Sequence, residues 1–312
     1  MERRWVVRPF TMQYRLGELT LFSWKAPLAV LQAHFSELPG DPRETLPPFS
    51  QLGPEVVGAV AKSHPIRESL PRLTVFDDHI RYARQEYERC CVDFGGTFAE
   101  YLQTFSSKTR STLVRKVRKF AEFSGGQTDW REYRSPEEVG EFHRLARDLS
   151  RKTYQEKLLD AGLPDGEDFE RGMRTLAEQG AVRAYLLFHE ARPIAYLYAP
   201  IVDGVVRYQF LGFDPAFRDH SPGTVLQYHV LERLFGEKGL RMFDFLEGEG
   251  QHKKLFATRT TRCVDVYYYR RGLKNRALVG LHASLDDCST WIGGLLDRYN
   301  LKSRIKRLLR SR

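Results

Sequence analysis

The sequence has few of the residues that mark a disulfide-rich, metal-binding or membrane-spanning protein. It contains only four cysteines in 312 residues, and their spacing matches no paired metal motif. We expect all four to be reduced and buried, as in cytosolic proteins. No run of about 18 apolar residues could cross a bilayer, and the first residues lack the apolar stretch of a signal peptide. These absences predict a cytoplasmic protein that holds no metal.

The composition indicates a globular protein whose positive charge is unevenly distributed. Hydrophobic residues make up 42% of the chain and charged residues 29%, and the length exceeds the usual size of one core, which predicts two domains. Most of the net charge of +9 lies in residues 302–312, which contain no acid. A second basic cluster consists of Lys108, Arg110, Arg115, Lys116, Arg118 and Lys119. Such patches favour phosphate-bearing partners (a coenzyme, an anionic lipid or a nucleic acid), and a solvated basic face is the alternative.

Hydrophobic periodicity predicts alternating strands and helices along most of the chain. Strands are expected at residues 5–10, 18–24, 87–94, 127–133, 182–189, 194–201, 205–213, 240–246 and 261–271. Helices are expected at residues 26–35, at 97–123 with a break near Ser106 and Ser107, at 135–159, at 169–179 and at 273–299. The strands from 182 to 213 are separated by short turns, which predicts an antiparallel meander.

The stretch 205–256 predicts a βαβ unit with a polar site at its carboxyl edge. The strand at 205–213 ends at Asp214-Pro215, and Ser221 and Pro222 then open a helix as N-cap and first-turn residues. The following strand leads into four polar side chains, and strands of such a unit place these side chains at one edge of the sheet. The four are Asp244, Glu247, Glu249 and His252.

The last residues predict a short amphipathic helix with a basic back. Leu301, Ile305, Leu308 and Leu309 share one helical face, and a break near Asn300 separates them from the preceding helix. Such a helix suits an anionic membrane surface, so we expect contact through residues 301–312 at the inner face of the cytoplasmic membrane. Docking of the apolar stripe on the protein itself is the alternative.

Residues 97–270 resemble the CelD/BcsL-like proteins of the GNAT superfamily. The resemblance rests on the basic helix at 107–122 and on the segments RPIAYLYAP, FLGFDPAFRDHSPGTVLQYHVLE and FDFLEGEGQHKKLFAT. It implies an α+β (mixed α/β) fold of mixed, mostly antiparallel sheets flanked by helices. Related FemABX-like transferases look like two GNAT folds in tandem. The implied domains are a degenerate GNAT-like copy at 1–160, an acyl-CoA-binding GNAT domain at 161–272 and C-terminal helices at 273–312.

The resemblance implies an acyl-CoA donor whose pyrophosphate binds at a helix start. The physics of residues 218–224 supports this place, because free N–H groups and the partial positive charge at a helix N-terminus suit phosphate. Gly223 permits close approach, Arg218 can pair with a phosphate oxygen, and Ser221 and Thr224 complete the loop. Lys253 is a further candidate for phosphate, as is a lysine of this region in the FemABX-like relatives. Ser-Pro-Gly replaces the glycine run usual in GNAT loops, and an ordinary capped helix is the alternative.

Amine acylation requires groups that handle protons. His252 is the first candidate because its charge changes nearest to neutral pH, and Glu247 and Glu249 are the others. A glutamate in an apolar pocket would have a raised pKa and could serve instead. Asp244 is expected to orient other groups, and His229 to be a packed helix histidine. The alternative for the cluster is a solvated acidic turn.

The predicted function is that of an acyl-CoA-dependent N-acyltransferase, a GNAT-type enzyme. The acceptor is an amine of a lipid or cell-envelope precursor, and a long-chain sphingoid base is the concrete candidate because some bacterial ceramide synthases also look like GNAT proteins. The alternatives are a sugar-amine acetyltransferase of exopolysaccharide synthesis, a FemABX-like aminoacyl-tRNA-dependent peptidoglycan transferase and a non-catalytic lipid-binding protein. Among these, we do not favour a nucleic acid partner. Strand tyrosines such as Tyr196 and Tyr208 could line an acyl channel or simply belong to the core.

Overall fold

The computed structural model describes residues 4–17, 19–153, 162–248 and 250–298. The chain forms two compact units: unit 2 is Arg89–Thr260, and unit 1 is the remainder of the described chain. The units change at positions 88/89 and 260/261, whereas the predicted domains change at 160/161 and 272/273. Compactness does not reveal whether one unit is a degenerate copy of the other, so the tandem arrangement stays a prediction.

Unit 1 begins with a long antiparallel hairpin of β1 (Arg4–Leu16) and β2 (Leu19–Gln32). The predicted helix at 26–35 is wrong, because β2 continues to Gln32 and pairs in parallel with β3 (Gly58–Pro65), and only a short 3₁₀ turn (Phe35–Glu37) follows. Leu28 and Ala29 are buried in this pairing. A short apolar run fits either a helix or a strand, and here the strand partners, which are distant in sequence, decide.

The remaining strands of unit 1 complete a mostly antiparallel sheet. β4 (Leu73–Val75) pairs with β5 (His79–Asp93), and β3 pairs antiparallel with β12 (Arg259–Arg270). Along β12, Val264, Val266 and Tyr268 belong to one apolar cluster and Tyr267 and Tyr269 to another. This period of two confirms the strand predicted there and shows that both of its faces are buried.

Unit 1 ends with the predicted C-terminal helix, α7 (Leu273–Arg298). Cys90, Cys91 and Cys263 are buried as predicted, but Cys288 on α7 is exposed, so the expectation of four buried cysteines is wrong for this position. The predicted break near Asn300 and the basic amphipathic segment 301–312 lie outside the described residues. Within the described part of the chain, no helix has both the length and the apolar character needed to span a membrane.

Unit 2 is a sheet covered by helices on both faces. Its elements after β5 are, in chain order, α1 (Phe98–Gln103), α2 (Ser107–Phe123), β6 (Asp129–Tyr133), α3 (Pro136–Ser150), α4 (Glu167–Glu178), β7 (Val182–His189), β8 (Arg192–Val202), β9 (Val205–Arg207), β10 (Phe210–Phe213), α5 (Pro222–Phe235), β11 (Met242–Asp244) and α6 (Gln251–Phe256). The strand order is the end of β5, then β11, β9, β8, β7 and β6, with β10 on β8. One apolar cluster joins the sheet to α1, α2 and α5, and a second joins it to α3 and α4.

Local capping signals fix the helix starts of unit 2. The predicted break between two helices near Ser106 is confirmed, because the Ser106 side chain caps α2. Ser135 and Glu138 form a capping box at the start of α3, as the Ser-Pro-Glu-Glu sequence predicts. The predicted extension of this helix to 159 is not observed: α3 ends at Ser150, whose side chain accepts the N–H of Leu163. Residues 154–161 lie outside the described ranges.

Candidate active site

The site begins where two parallel strands separate. β9 and β11 pair in parallel from Val205 and Met242 to Arg207 and Asp244. The Tyr208 N–H still donates to the Asp244 carbonyl at 2.9 Å, but the next N–H, that of Gln209, donates to Tyr198 on β8 at 3.1 Å. The predicted strand at 205–213 is therefore two strands, and β10 continues on β8 alone. The separation opens a space beside β10 that β11 does not fill.

A cavity of about 390 Å³ occupies this opening. Its lining brings together most of the residues predicted to bind the donor or handle protons: Arg218, Ser221, Gly223, Thr224, His252 and Lys253. Much of the remaining lining is apolar or aromatic and includes Tyr208, Leu211, Phe213 and Phe256. A largely apolar cavity with a few convergent polar groups is typical of a small-molecule site. We refer to it as the donor cavity.

The start of α5 lacks the side-chain cap expected of Ser221. Ser221 occupies the N-cap position, as predicted, but it has a left-handed backbone (φ +52°) and its side chain makes no capping hydrogen bond to this helix. The preceding 3₁₀ turn (Pro215–His220) is the physical reason, because the chain must reverse there to enter α5. The N–H groups of Thr224 and Val225 donate to the Ser221 carbonyl. Pro222 has no N–H, and the Gly223 N–H belongs to the first turn of α5, where N–H groups have no acceptor within the helix.

Gly223 lies on the wall of the donor cavity. A methyl group at this position would meet Leu211 at 3.4 Å and Phe213 at 3.5 Å, which are ordinary van der Waals distances. A small side chain would therefore fit the fold while occupying part of the cavity. The absence of a side chain at Gly223 leaves this part of the cavity wall open, and its predicted role in binding the donor stays a prediction.

The lining of the donor cavity includes a hydrogen-bonded pair. The Tyr208 hydroxyl lies 3.2 Å from Nε2 of His252. Tyr208 is buried, and burial holds the pKa of its hydroxyl well above the ordinary value. Part of the His252 side chain is exposed to solvent and part is buried. This partial burial, together with the positive charge of Lys253, lowers the pKa of His252. At neutral pH the pair is thus a neutral imidazole beside a protonated phenol.

The backbone before α6 leaves room for the imidazole. A side chain at Gly250 would lie 2.8 Å from Cε1 of His252, so glycine is required if the ring is to keep its position. Lys253 is buried, and its Nζ donates to the main-chain carbonyl of Glu247 at 2.6 Å. Burial lowers the pKa of Lys253. The lysine therefore anchors the preceding loop as well as lining the cavity.

Asp244 has the orienting role predicted for it, through a partner that the sequence did not indicate. It is fully buried and accepts from Nε and Nη2 of Arg89 at 3.0 and 2.6 Å. Its Oδ1 also accepts the N–H of Leu246 at 2.9 Å, and Leu246 has a left-handed backbone (φ +59°). A non-glycine residue in this conformation is strained, and such strain concentrates at functional sites. Asp244 thus holds the turn that leads to His252.

A second cavity of about 380 Å³ shares Tyr208, Gln209 and Lys253 with the donor cavity. Glu247 and Arg89 are also among its lining residues. Glu247 is exposed, and its catalytic role stays a prediction. Glu249 lies outside the described residues. Because the two cavities meet at Tyr208, a donor and an acceptor could approach the same hydroxyl.

Two polar residues of α5 complete the surroundings. His229 is a packed helix histidine as predicted: it stacks on Trp130 and pairs with Glu232, and burial lowers its pKa. Gln227 lines the donor cavity and was not predicted as a site residue. Its signal in the sequence is its spacing, four residues after Gly223, which places both on one face of the helix.

Residues 107–254 match the model of a family described as an acetyltransferase (GNAT) domain. This segment of the chain has a GNAT fold. The matched segment contains α5 and most of the residues around the donor cavity, and it confirms the prediction of a GNAT-type N-acyltransferase. A comparison with curated proteins found no significant match.

Two solved structures resemble this chain over most of its length. The crystal structure of FemX has 11% identity and a TM-score of 0.51, covering 88% of this chain and 90% of its own. The C-terminal domain of a protein named as a lysylphosphatidylglycerol synthetase, from Agrobacterium fabrum, has 12% identity and a TM-score of 0.50, covering 91% of this chain and 88% of its own. At these identities the likeness concerns the fold alone.

Proposed function

We propose that this GNAT protein transfers an acyl group from an acyl-CoA to the amine of a lipid or another cell-envelope precursor. One observation carries the proposal. A single cavity is lined both by the start of α5, with Gly223 and Arg218, and by the Tyr208–His252 pair. One largely apolar cavity could then hold both the phosphate and the thioester of the donor.

The residues present fit the phosphate end of a coenzyme. The N–H of Gly223 is open at a helix N-terminus, where the helix dipole favours an anion. Arg218 is exposed beside it and can form a charge-assisted hydrogen bond with a phosphate oxygen. The apolar walls at Leu211 and Phe213 suit an uncharged chain. This fit depends on main-chain geometry more than on the glycine-rich sequence usual for GNAT loops.

The proton steps are assigned to the hydrogen-bonded Tyr208–His252 pair. The thioester supplies an electrophilic carbonyl and a thiolate leaving group, so that a C–N bond forms as the C–S bond breaks. Neutral His252 accepts the proton that the attacking nitrogen loses, and Tyr208 donates its proton to the departing sulfur. The hydrogen bond between them then returns the proton from His252 to Tyr208. The pair is regenerated with no proton gained or lost.

The lipid acceptor is the less direct part of the proposal. It is supported by the resemblance to ceramide synthase-like GNAT proteins and by the basic amphipathic sequence at 301–312. The name of one structural relative, lysylphosphatidylglycerol synthetase, also refers to a lipid product. The second cavity, which reaches Tyr208 and Lys253, is the expected place for the acceptor amine. A long-chain sphingoid base is the first acceptor to test.

The donor can be tested by calorimetry and thermal shift with acetyl-CoA and with palmitoyl-CoA below its critical micelle concentration. We expect tighter binding of palmitoyl-CoA, and loss of binding in Gly223→Trp because the indole would fill the cavity. Gly172→Trp is the matched control, since Gly172 is exposed on α4 with open space around it. Binding of acetyl-CoA alone would favour a sugar amine as acceptor.

Failure of both thioesters to bind would contradict the proposal. The FemABX-like transfer from aminoacyl-tRNA would then take its place, and the basic side chains of α2 would be its binding surface. Lys108 and Lys119 are exposed on that helix. Salt-dependent binding of tRNA, lost when these two lysines are replaced by glutamine, would establish that alternative.

A further inference from the structure

Gln227 is a buried amide that has no hydrogen-bond partner within the protein. It is 3% exposed and lines the donor cavity from the second turn of α5. Neither its Oε1 nor its Nε2 has a partner among the described residues. Buried polar side chains are almost always hydrogen-bonded, and an unpaired one costs about 1–3 kcal/mol. An unpaired amide on a residue that lines a cavity therefore indicates a polar ligand group beside this part of the helix.

The position of Gln227 defines which part of a ligand it meets. It follows Gly223 by four residues, so it lies on the same helix face, about 6 Å further along the axis. A molecule whose phosphate binds at the helix start would reach Gln227 a short distance along its chain. The cavity lining near Gly223 includes Leu211 and Phe213, which are apolar. The ligand segment there must be mainly apolar but must carry an amide, a carbonyl or a hydroxyl.

A fatty acyl chain does not meet this requirement. Hydrocarbon beside Gln227 would leave both amide atoms unpaired in the complex, as they are in the ligand-free protein. The pantetheine arm of a coenzyme thioester does meet it, because its amides and hydroxyl interrupt an otherwise apolar chain close to the phosphates. A nucleotide without this arm would not extend to Gln227.

We propose that Gln227 is a specificity-determining residue that hydrogen-bonds the pantetheine arm of the donor. Its carboxamide can accept from an N–H of the arm and donate to a carbonyl or hydroxyl of the same arm. The residue thereby selects thioesters carried on pantetheine, and the acyl chain lies beyond it, toward Tyr208 and His252. This inference rests on the proposed coenzyme function.

The test compares two ligands that differ by the arm. Coenzyme A and adenosine 3′,5′-bisphosphate share the nucleotide, but only coenzyme A has pantetheine. In Gln227→Leu we expect calorimetry to show about tenfold weaker binding of coenzyme A, because the variant loses one or two hydrogen bonds to the arm. Binding of the bisphosphate should stay within about twofold, because it makes no contact with Gln227. Gln227→Met, with an unbranched side chain, gives a second variant if the leucine variant folds poorly.

The ligand-free variant provides an independent readout. Replacing an unpaired buried amide with an apolar group of similar shape should leave the melting temperature unchanged or raise it. A structural role for Gln227 would instead lower the melting temperature. His229→Leu is the matched control: it lies on the same helix and also has a buried, unpartnered nitrogen, Nε2, but it does not line the donor cavity. Its affinity for coenzyme A should equal that of the wild type.

Each other outcome overturns the inference in an identifiable way. Unchanged affinity of Gln227→Leu for coenzyme A would mean that the amide meets only water. Equal losses for coenzyme A and the bisphosphate would mean that the substitution distorts the helix start. If the wild-type protein binds no coenzyme A, the proposed function fails as well, whereas in the first two cases it survives.

Discussion

Removing one partner of the Arg89–Asp244 pair should destabilise unit 2 much more than removing both. The pair is bidentate, with contacts of 3.0 and 2.6 Å, and the two side chains are 10% and 0% exposed. In Asp244→Leu the guanidinium of Arg89 would stay buried without its carboxylate. In Arg89→Met the carboxylate of Asp244 would stay buried without its guanidinium. The double variant leaves neither charge.

The magnitude follows from the burial of both charges. Breaking a buried ion pair by removing one partner typically costs about 3–5 kcal/mol, whereas replacing both with apolar groups is often close to neutral. We expect each single variant to lose free energy of unfolding in that range. Asp244→Leu should be the worse of the two, since Asp244 also accepts the Leu246 N–H. The double variant should lose less than the sum, with an interaction free energy on the order of 1–3 kcal/mol.

Urea denaturation of the four proteins measures this interaction free energy. Both residues lie in unit 2, so the change belongs to the transition of that unit, and the wild-type m-value shows whether the transition is preserved. Losses that add within about 0.5 kcal/mol would refute the reasoning, because independent sites behave in that way. If the pair contributed only as much as a surface ion pair, each single variant would lose about 1 kcal/mol or less of its free energy of unfolding.

Three further changes test separate features of the site. Gly212→Ala should destabilise unit 2 by about 1–3 kcal/mol, measured by denaturation, because the added methyl would overlap the ring of Tyr196; a neutral result would show that the ring can move. Ser221→Gly should leave the free energy of unfolding unchanged or raise it by up to about 1 kcal/mol, since glycine adopts φ +52° without strain; a clear loss would assign the hydroxyl a stabilising contact. His252 has a lowered pKa and must be neutral to accept a proton, so kcat/KM should fall as the pH drops through that pKa. The midpoint of this acid limb should therefore lie below the ordinary pKa of histidine. In His252→Gln this limb should disappear, and its persistence would exclude His252 as the base.

The sequence predicts those parts of the fold that local chemistry determines. Ser106 and Ser135 identify helix starts because a capping side chain bonds its own first turn. The meander of β7 and β8 follows from apolar runs separated by a short turn. The stretch from 26 to 35 fails for the opposite reason: its apolar residues suit either structure, and pairing with Gly58–Pro65 decides. Local patterns could not supply that distant partner.

The candidate site likewise combines residues that the sequence predicts with residues whose role only the fold reveals. The order of strand, helix start and second strand places Gly223, Arg218 and His252 at one cavity, as predicted from the sequence. Arg89 lies 155 positions from Asp244 and has no local motif, so its role required the fold. Gln227 resembles any polar residue on a helix until its burial and its unpaired atoms are known.

The separation of β9 from β11 links these observations physically. Tyr208 comes from the end of β9 and His252 from the helix after β11, so their contact depends on how both strands end. Asp244 determines both ends: its main-chain carbonyl accepts the Tyr208 N–H, and its carboxylate accepts the Leu246 N–H at the turn toward His252. The charge of that carboxylate is in turn balanced by Arg89. The buried ion pair thus has a specific structural effect here, because Arg89 holds the carboxylate that fixes the Leu246 backbone at the turn toward His252, while the main chain of the same Asp244 holds Tyr208.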